Sequence, residues 1–374
     1  MRRMHRLLLG AAIATATCAT NTSYADDENT GYQQINLVSN IAGNARVPDP
    51  NLLNPWGIAF IPGSPFWISD NNAGVSTLYD GQGNIIEVPN AAGQLVPFAV
   101  QIPGPAGSAP DFSATPTGVV WNPTQGFTVG TAKSPAVFIF ATEDGTIAAW
   151  SPSVDRFHAI LAVDNSQAGN GAVYKGLALA PNSKGVFLFA TNFHAGTVDV
   201  FDRTFKQVQL DGSFTDPNIP AGYAPFGISA IDGDLFVTYA LQNAEKHDDV
   251  AGEGHGFVDV FDTDGHLLRR FATRGALNSP WGVTRSSYAF GRFSGDILVG
   301  NFGDGRISAF SSHGELLGQL RDPRGHAIVI EGLWGLKFGG ALASSPDTLY
   351  FTAGINGEKD GLFGALQAVK VNAD

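Results

Sequence analysis

Beyond its first 25 residues the chain contains no sulfur: its only cysteine is Cys18, and its two methionines are Met1 and Met4. Without that leader, no disulfide framework, thiolate metal site or cysteine nucleophile can form. Charge is also scarce, with Asp, Glu, Lys and Arg at 15% of residues, against about 25% in typical globular proteins. Positive charge is the scarcer kind. Arg2, Arg3 and Arg6 lie in the leader, and removing it leaves 19 of the 22 basic residues against 34 acids, a net charge of −15. Such a surface makes nucleic acid and anionic lipid poor partners. No window after residue 25 keeps a 3.6-residue apolar period, so helices should be at most short turns. No charge block or Ser/Gly linker divides the chain, which predicts one domain over 26–374. Gly-x-Ser-x-Gly, His-Glu-x-x-His and phosphate-cradling glycine loops are absent from the sequence, which removes the nucleophilic and metal chemistries those motifs carry.

What is present begins with a leader. Arg2, Arg3, His5 and Arg6 precede an apolar run from Leu7 to Ala16, and Ser23-Tyr24-Ala25 puts small residues at the −3 and −1 positions. This order predicts a secretory signal peptide cleaved near Ala25, and an extracytoplasmic protein, periplasmic or secreted. The run is too short to span a bilayer, so no membrane insertion is expected. A lipid anchor on Cys18 is disfavoured because Thr15-Ala16-Thr17 puts a threonine where a small Gly, Ala or Ser is wanted.

The rest is rich in turn residues, with 46 Gly and 21 Pro, and a phrase recurs in it: a small or Pro residue, one variable residue, Gly, then an apolar strand. It appears as Pro55-Trp56-Gly57-Ile58, Pro116-Thr117-Gly118-Val119, Tyr174-Lys175-Gly176-Leu177, Pro225-Phe226-Gly227-Ile228, Pro280-Trp281-Gly282-Val283 and Leu333-Trp334-Gly335-Leu336. The glycines are 61, 58, 51, 55 and 53 residues apart. Each phrase is followed by a second strand (66–69, 137–142, 186–191, 235–239, 296–300 and 348–353) and a third (75–79, 146–150, 197–201, 256–261, 306–310 and 362–369). Asp/Gly turns then open a fourth. Radial repetition of four antiparallel strands predicts an all-β, six-bladed β-propeller. The last unit has only three strands, and an unused strand at 32–38 precedes the first. That strand is predicted to become the outer strand of the last blade, closing the ring.

Segments 54–60, 66–80, 140–150, 174–179, 192–202 and above all 246–265 resemble NHL-type repeats. Through them nearly all of the chain after the leader resembles a family of exported bacterial six-bladed propellers. The resemblance implies the fold and leaves the chemistry open, since propellers host unrelated functions.

If each first strand is innermost and starts at the upper face, the turns between second and third strands and the links between blades also lie there. The long segments 103–113, 241–254, 321–331 and 354–361 are of these kinds, which points to the upper face as the site. The variable residues Trp56, Thr117, Lys175, Phe226, Trp281 and Trp334 should then ring the channel mouth. One reading has the rings stacking on a small molecule, glycan or peptide while Lys175 fixes an acidic group. The other has them plug the channel between blades.

The segment 245–255 packs two imidazoles and four carboxylates into eleven residues. His247, Asp248, Asp249 and His255, with His194 of the preceding unit, could hold Zn²⁺ or Ca²⁺, although their spacing matches no standard metal motif. A solvated loop tied down by Lys246 is the alternative. Asn71, Asn192, Asn301 and Asn356 follow second strands and suit tight turns, as does Thr142-Glu143-Asp144-Gly145. Three functions follow: a ligand-binding module, a metal-assisted hydrolase or lyase by analogy with six-bladed lactonases, arylesterases and hydroxyglycine lyases, or a protein-interaction scaffold. Aromatics at the mouth depart from the oxygen ligands of the lactonase type. A monomer is expected.

Overall fold

The recurring glycines become intelligible once the six inner strands are seen edge to edge. In the computed structural model, which describes residues 30–109, 112–167, 169 and 171–371, each phrase opens an innermost strand that lies against the inner strand of the next blade. A Cβ built on Gly57, Gly118, Gly176, Gly227, Gly282 or Gly335 would come closer than 3.0 Å to Thr117, Leu177, Ile228, Trp281, Trp334 or Trp56, respectively. The contacted atom is backbone in every case, and the sixth contact returns to the first blade. Buried threonines add hydroxyl bridges between blades: Thr117 to the Tyr174 carbonyl (2.8 Å), Thr191 to Phe226 (2.7 Å) and Thr352 to Trp56 (2.5 Å).

Five blades follow the predicted order from the axis outward. They are Pro55–Phe60, Phe66–Asp70, Val75–Tyr79 and Ala99–Gln101; Pro116–Trp121, Phe138–Thr142, Thr146–Trp150 and Ile160–Asp164; Tyr174–Asn182, Gly185–Asn192, Thr197–Phe201 and Gln207–Val208. The fourth blade is Tyr223–Ile231, Asp234–Leu241, Phe257–Phe261 and Leu267–Thr273, and the fifth is Pro280–Arg285, Ile297–Asn301, Ile307–Phe310 and Leu316–Gln319. The sixth takes Leu333–Phe338, Thr348–Gly354 and Asp360–Lys370 from the end of the chain and Thr30–Ser39 from its beginning. Thr30–Ser39 pairs antiparallel with Asp360–Lys370 from Thr30 opposite Lys370 to Ser39 opposite Leu362. The predicted leader, 1–25, lies outside the described residues.

Alternation along the strands sends apolar side chains to both faces of every blade. The result is six buried clusters, one per blade interface, such as Trp67 with Phe138 and Phe140 between the first two, and a seventh on the axis. Helix is confined to single turns among the described residues, at Asn71–Ala73, Gly291–Phe293 and Ile355–Glu358. Two features depart from expectation. Residues 80–98 of the first blade hold an extra hairpin, Glu87–Pro89 with Leu95–Pro97, where a tight lower turn is predicted. Val47–Pro48 also adds a short parallel strand outside Thr30–Ser39.

Candidate functional site

The phrase's variable residues do converge on the axis, but as a closed stack. Trp56 and Trp334 lie face to face with centroids 3.4 Å apart, and Trp281 meets both edge-on at 5.9 and 5.8 Å. Phe226 leans on Trp334 at 5.8 Å, and Phe302 stacks on its other side at 4.0 Å. Trp56, Phe226, Trp281 and Trp334 are all buried. This corrects the expectation of an open aromatic mouth, because bulky rings arriving from several blades fill the bore and exclude one another's solvent. Thr117 is also removed from the mouth: its hydroxyl is spent on the Tyr174 and Ala141 carbonyls.

Above this plug sits a polar cup. Lys175 is 2% exposed, a placement tolerable for an ammonium only with a counter-charge. It finds one in Glu143, to which it is hydrogen-bonded, with Asp248 at 3.7 Å and the rings of Trp56 and Phe193 at 5.1 and 5.8 Å. Asn71 donates to the other oxygen of Glu143 at 2.8 Å. The His247 Nδ1 and Asp248 lie 2.8 Å apart. Across the cup, Asn54 donates to Glu358 at 3.1 Å and accepts from the Trp334 indole at 3.2 Å, coupling the plug to the rim. Among the described residues the buried indole nitrogens of Trp56 and Trp281 find no hydrogen-bond acceptor.

Of the five residues predicted to hold a metal, His247 and Asp248 join Glu143 in a group whose ligand atoms lie within 4.8 Å of one another. The structure does not bring the other three into it. His255 Nδ1 is tied to the Val250 carbonyl at 2.9 Å within its own loop. Asp249 turns toward Ser279 and Lys175, and His194 stands on the third blade's turn outside the group. Of the four asparagines, Asn192, Asn301 and Asn356 fasten their own turns through Asp199, Asp304 and Asp360. Asn71 instead holds Glu143. Glu143, Glu358 and Asn54 escape the sequence reading. A buried lysine at the axis requires a carboxylate on a neighbouring rim turn, and Thr142-Glu143-Asp144-Gly145 is that turn on the adjacent blade.

The cup perturbs its acids in opposite senses. The hydrogen bond from His247 holds Asp248 below the usual carboxylate range, and the same contact raises the imidazole. Burial raises Asp249. Glu358 is pushed up to about 7, chiefly by burial and further by Glu143 and Asp249, against the Asn54 bond and Lys175. The folded protein therefore holds a proton there that the unfolded chain releases above its ordinary value of 4.5. Stability from this group is full below that value and is lost as pH rises through about 7. Glu358→Gln should flatten this fall, and above neutrality it should exceed the wild type by about 2 kcal/mol, after discounting for partial exposure. Urea unfolding at about pH 5 and about pH 8 measures it, and an unchanged slope with pH would contradict the assignment.

No family model matches the chain. It is 33% identical over 341 residues to one uncharacterized protein of Acanthamoeba polyphaga mimivirus, an alignment covering 88% of this chain and 78% of that one. A second uncharacterized protein of the same virus is 32% identical over 341 residues, covering 88% and 84%. Among solved structures, a streptogramin B lyase superposes with a TM-score of 0.53 at 14% identity, over 92% of this chain and 99% of the lyase. The catalytically inactive virginiamycin B lyase of Staphylococcus aureus with quinupristin gives 0.51 at 13%, over 91% and 100%. At such identities the structural likeness establishes the fold alone. The sequence relationship goes further: this chain belongs to the same family as these two mimivirus proteins.

Proposed function

We propose that the protein is a ligand-binding propeller whose upper cup captures a small polar molecule carrying a positively charged group. The observation that carries this reading is the gathering of Glu143, Asp248, Asp249 and Glu358 with Lys175 and His247 above the aromatic plug. Charge sets the ligand's sign. Glu143, Asp248 and Asp249, with Glu358 ionised about half the time near pH 7, still outnumber Lys175 and the His247 imidazole, and a cationic group gains from the excess. The indoles supply a flat apolar floor rather than an open stacking mouth.

A second reading has its own observation, the Glu143, His247 and Asp248 group. Two carboxylates and an imidazole suit a first-row ion such as Zn²⁺ better than the oxygen-rich shell Ca²⁺ prefers. Lys175 already neutralises Glu143, so an ion would have to displace its ammonium. Such an ion would polarise a carbonyl or activate water, and Glu358, titrating near neutrality, would be suited to carry a proton. That is the hydrolase or lyase reading, and it is consistent with lyases on this fold.

Calorimetric titration with glucosamine and glucose, together with elemental analysis of the purified protein, separates the two. The first reading expects the amino sugar to bind, the neutral sugar to bind at least about tenfold more weakly, and Asp248→Asn to weaken the former by about tenfold. A stoichiometric ion that disappears in the His247→Ala, Asp248→Asn double variant would favour the second. No ion and no discrimination between the sugars would refute both. Export is part of the proposal: the protein recovered outside the cytoplasm should begin at Asp26 on N-terminal sequencing.

A further inference from the structure

A second compartment lies on the axis below the indoles. It is a cavity of about 290 Å³, bounded by the inner strands of all six blades, with Trp281 toward its upper end and Phe60 and Lys337 toward its lower. It is lined by the inner-strand backbones, by the edges of Ile58, Val119, Leu177, Ile228, Val283 and Leu336, and by Ser229 and Thr284, and among the described residues no carboxylate lines it. Lys337 is the charged side chain of this mixed surface. It occupies the second place after the motif glycine, where the other blades carry Ala59, Val120, Ala178, Ser229 and Thr284. The ring therefore needs only a small neutral residue there, and the sixth blade alone supplies a charge.

That charge has no partner. Among the described residues Lys337 makes no ion pair, and its recorded neighbour is the Phe60 ring at 6.0 Å. The Lys337 side chain is exposed to the solvent of the bore. Lys175 on the far side of the plug is different, being matched by Glu143 and Asp248. An ammonium that faces the bore without an acid is free to pair with an anion that enters it.

We infer that the axial cavity binds a small organic carboxylate with an apolar body, its carboxylate paired to Lys337 and its body against the inner-strand side chains. The closed upper end limits the ligand's length. This site is independent of the upper cup. Its size falls at the small end of ordinary ligand pockets, which start near 300 Å³.

The test titrates the full chain with octanoate and with 1-octanol, by calorimetry and by the fluorescence of Trp281 and Trp121, which line the cavity. Octanoate should bind saturably and at least about tenfold more tightly than the alcohol. Lys337→Met should remove that preference, Lys337→Arg should keep it, and Val283→Phe should abolish binding of both by filling the bore. Saturable octanoate binding that survives unchanged in Lys337→Met would overturn the proposal, as would equal affinity for the two probes in the wild type. Should Lys337→Met fail to fold, the wild-type preference and the arginine and phenylalanine variants still decide it.

Discussion

Glu143→Gln should cost about 3–5 kcal/mol of stability, because it strands the Lys175 ammonium beneath the rim with only the exposed Asp248 at 3.7 Å to answer it. The magnitude follows from an asymmetry. Making a buried ion pair gains little beyond what its desolvation costs, whereas removing one member leaves the other unpaid. The double variant Glu143→Leu, Lys175→Met should therefore recover most of the loss, since the cup's floor is already aromatic and accepts an apolar side chain. Denaturant unfolding of the wild type, both single variants and the double closes the cycle. Additive losses would show that the pair is not coupled and would remove Lys175 as the cup's organising charge.

The second large effect concerns closure. Gly227→Ala places a methyl group against the Trp281 carbonyl oxygen of the next blade, in a backbone conformation that alanine otherwise adopts freely. The strain is steric contact between blades and not local torsion. It has no flexible side chain to absorb it, so about 3 kcal/mol or more should be lost. Gly196→Ala is the informative contrast. That glycine has φ +72° but nothing within 4 Å of a built Cβ, so only the left-handed torsion is penalised, at about 1 kcal/mol. Thermal unfolding of the two variants should rank them in that order. Equal losses would mean that the inner strands separate easily to admit a methyl, and the tight hub described above would be wrong.

The difference between these two glycines also explains what could be read in advance. Six x-Gly-apolar units, four of them opened by Pro, betray a radial array because every inner strand must meet its neighbour in the same way, and the repeat carries that requirement on its face. Depth along the axis carries no such mark. Trp56, Trp281 and Trp334 are correctly directed inward from their place in the phrase, but whether rings line a mouth or fill it depends on the bore's radius and on Phe302, which lies outside the phrase. Acid partners are obscured for a related reason. Glu143 stands in an Asp/Gly turn whose form is explained without it, and its significance emerges only when Lys175, 32 residues later, proves to be buried beside it. His255 errs the other way. Its nearness in sequence to His247 suggests a shared ligand set, but the loop folds its ring back onto Val250. Composition indicated that carboxylates and imidazoles crowd the upper rim; it could not sort those that face inward from those that fasten a turn.

Thr30–Ser39 mates with Asp360–Lys370, and the Ser39 hydroxyl reaches the Gly361 carbonyl across 322 positions of sequence. Closing the sixth blade brings together segments more than 300 positions apart. The other five blades each draw on neighbouring strands, so only this seam needs a long-range docking, of the kind that makes β-rich topologies slow. Until it occurs the first segment is an unpaired edge, open to pairing with another copy of itself.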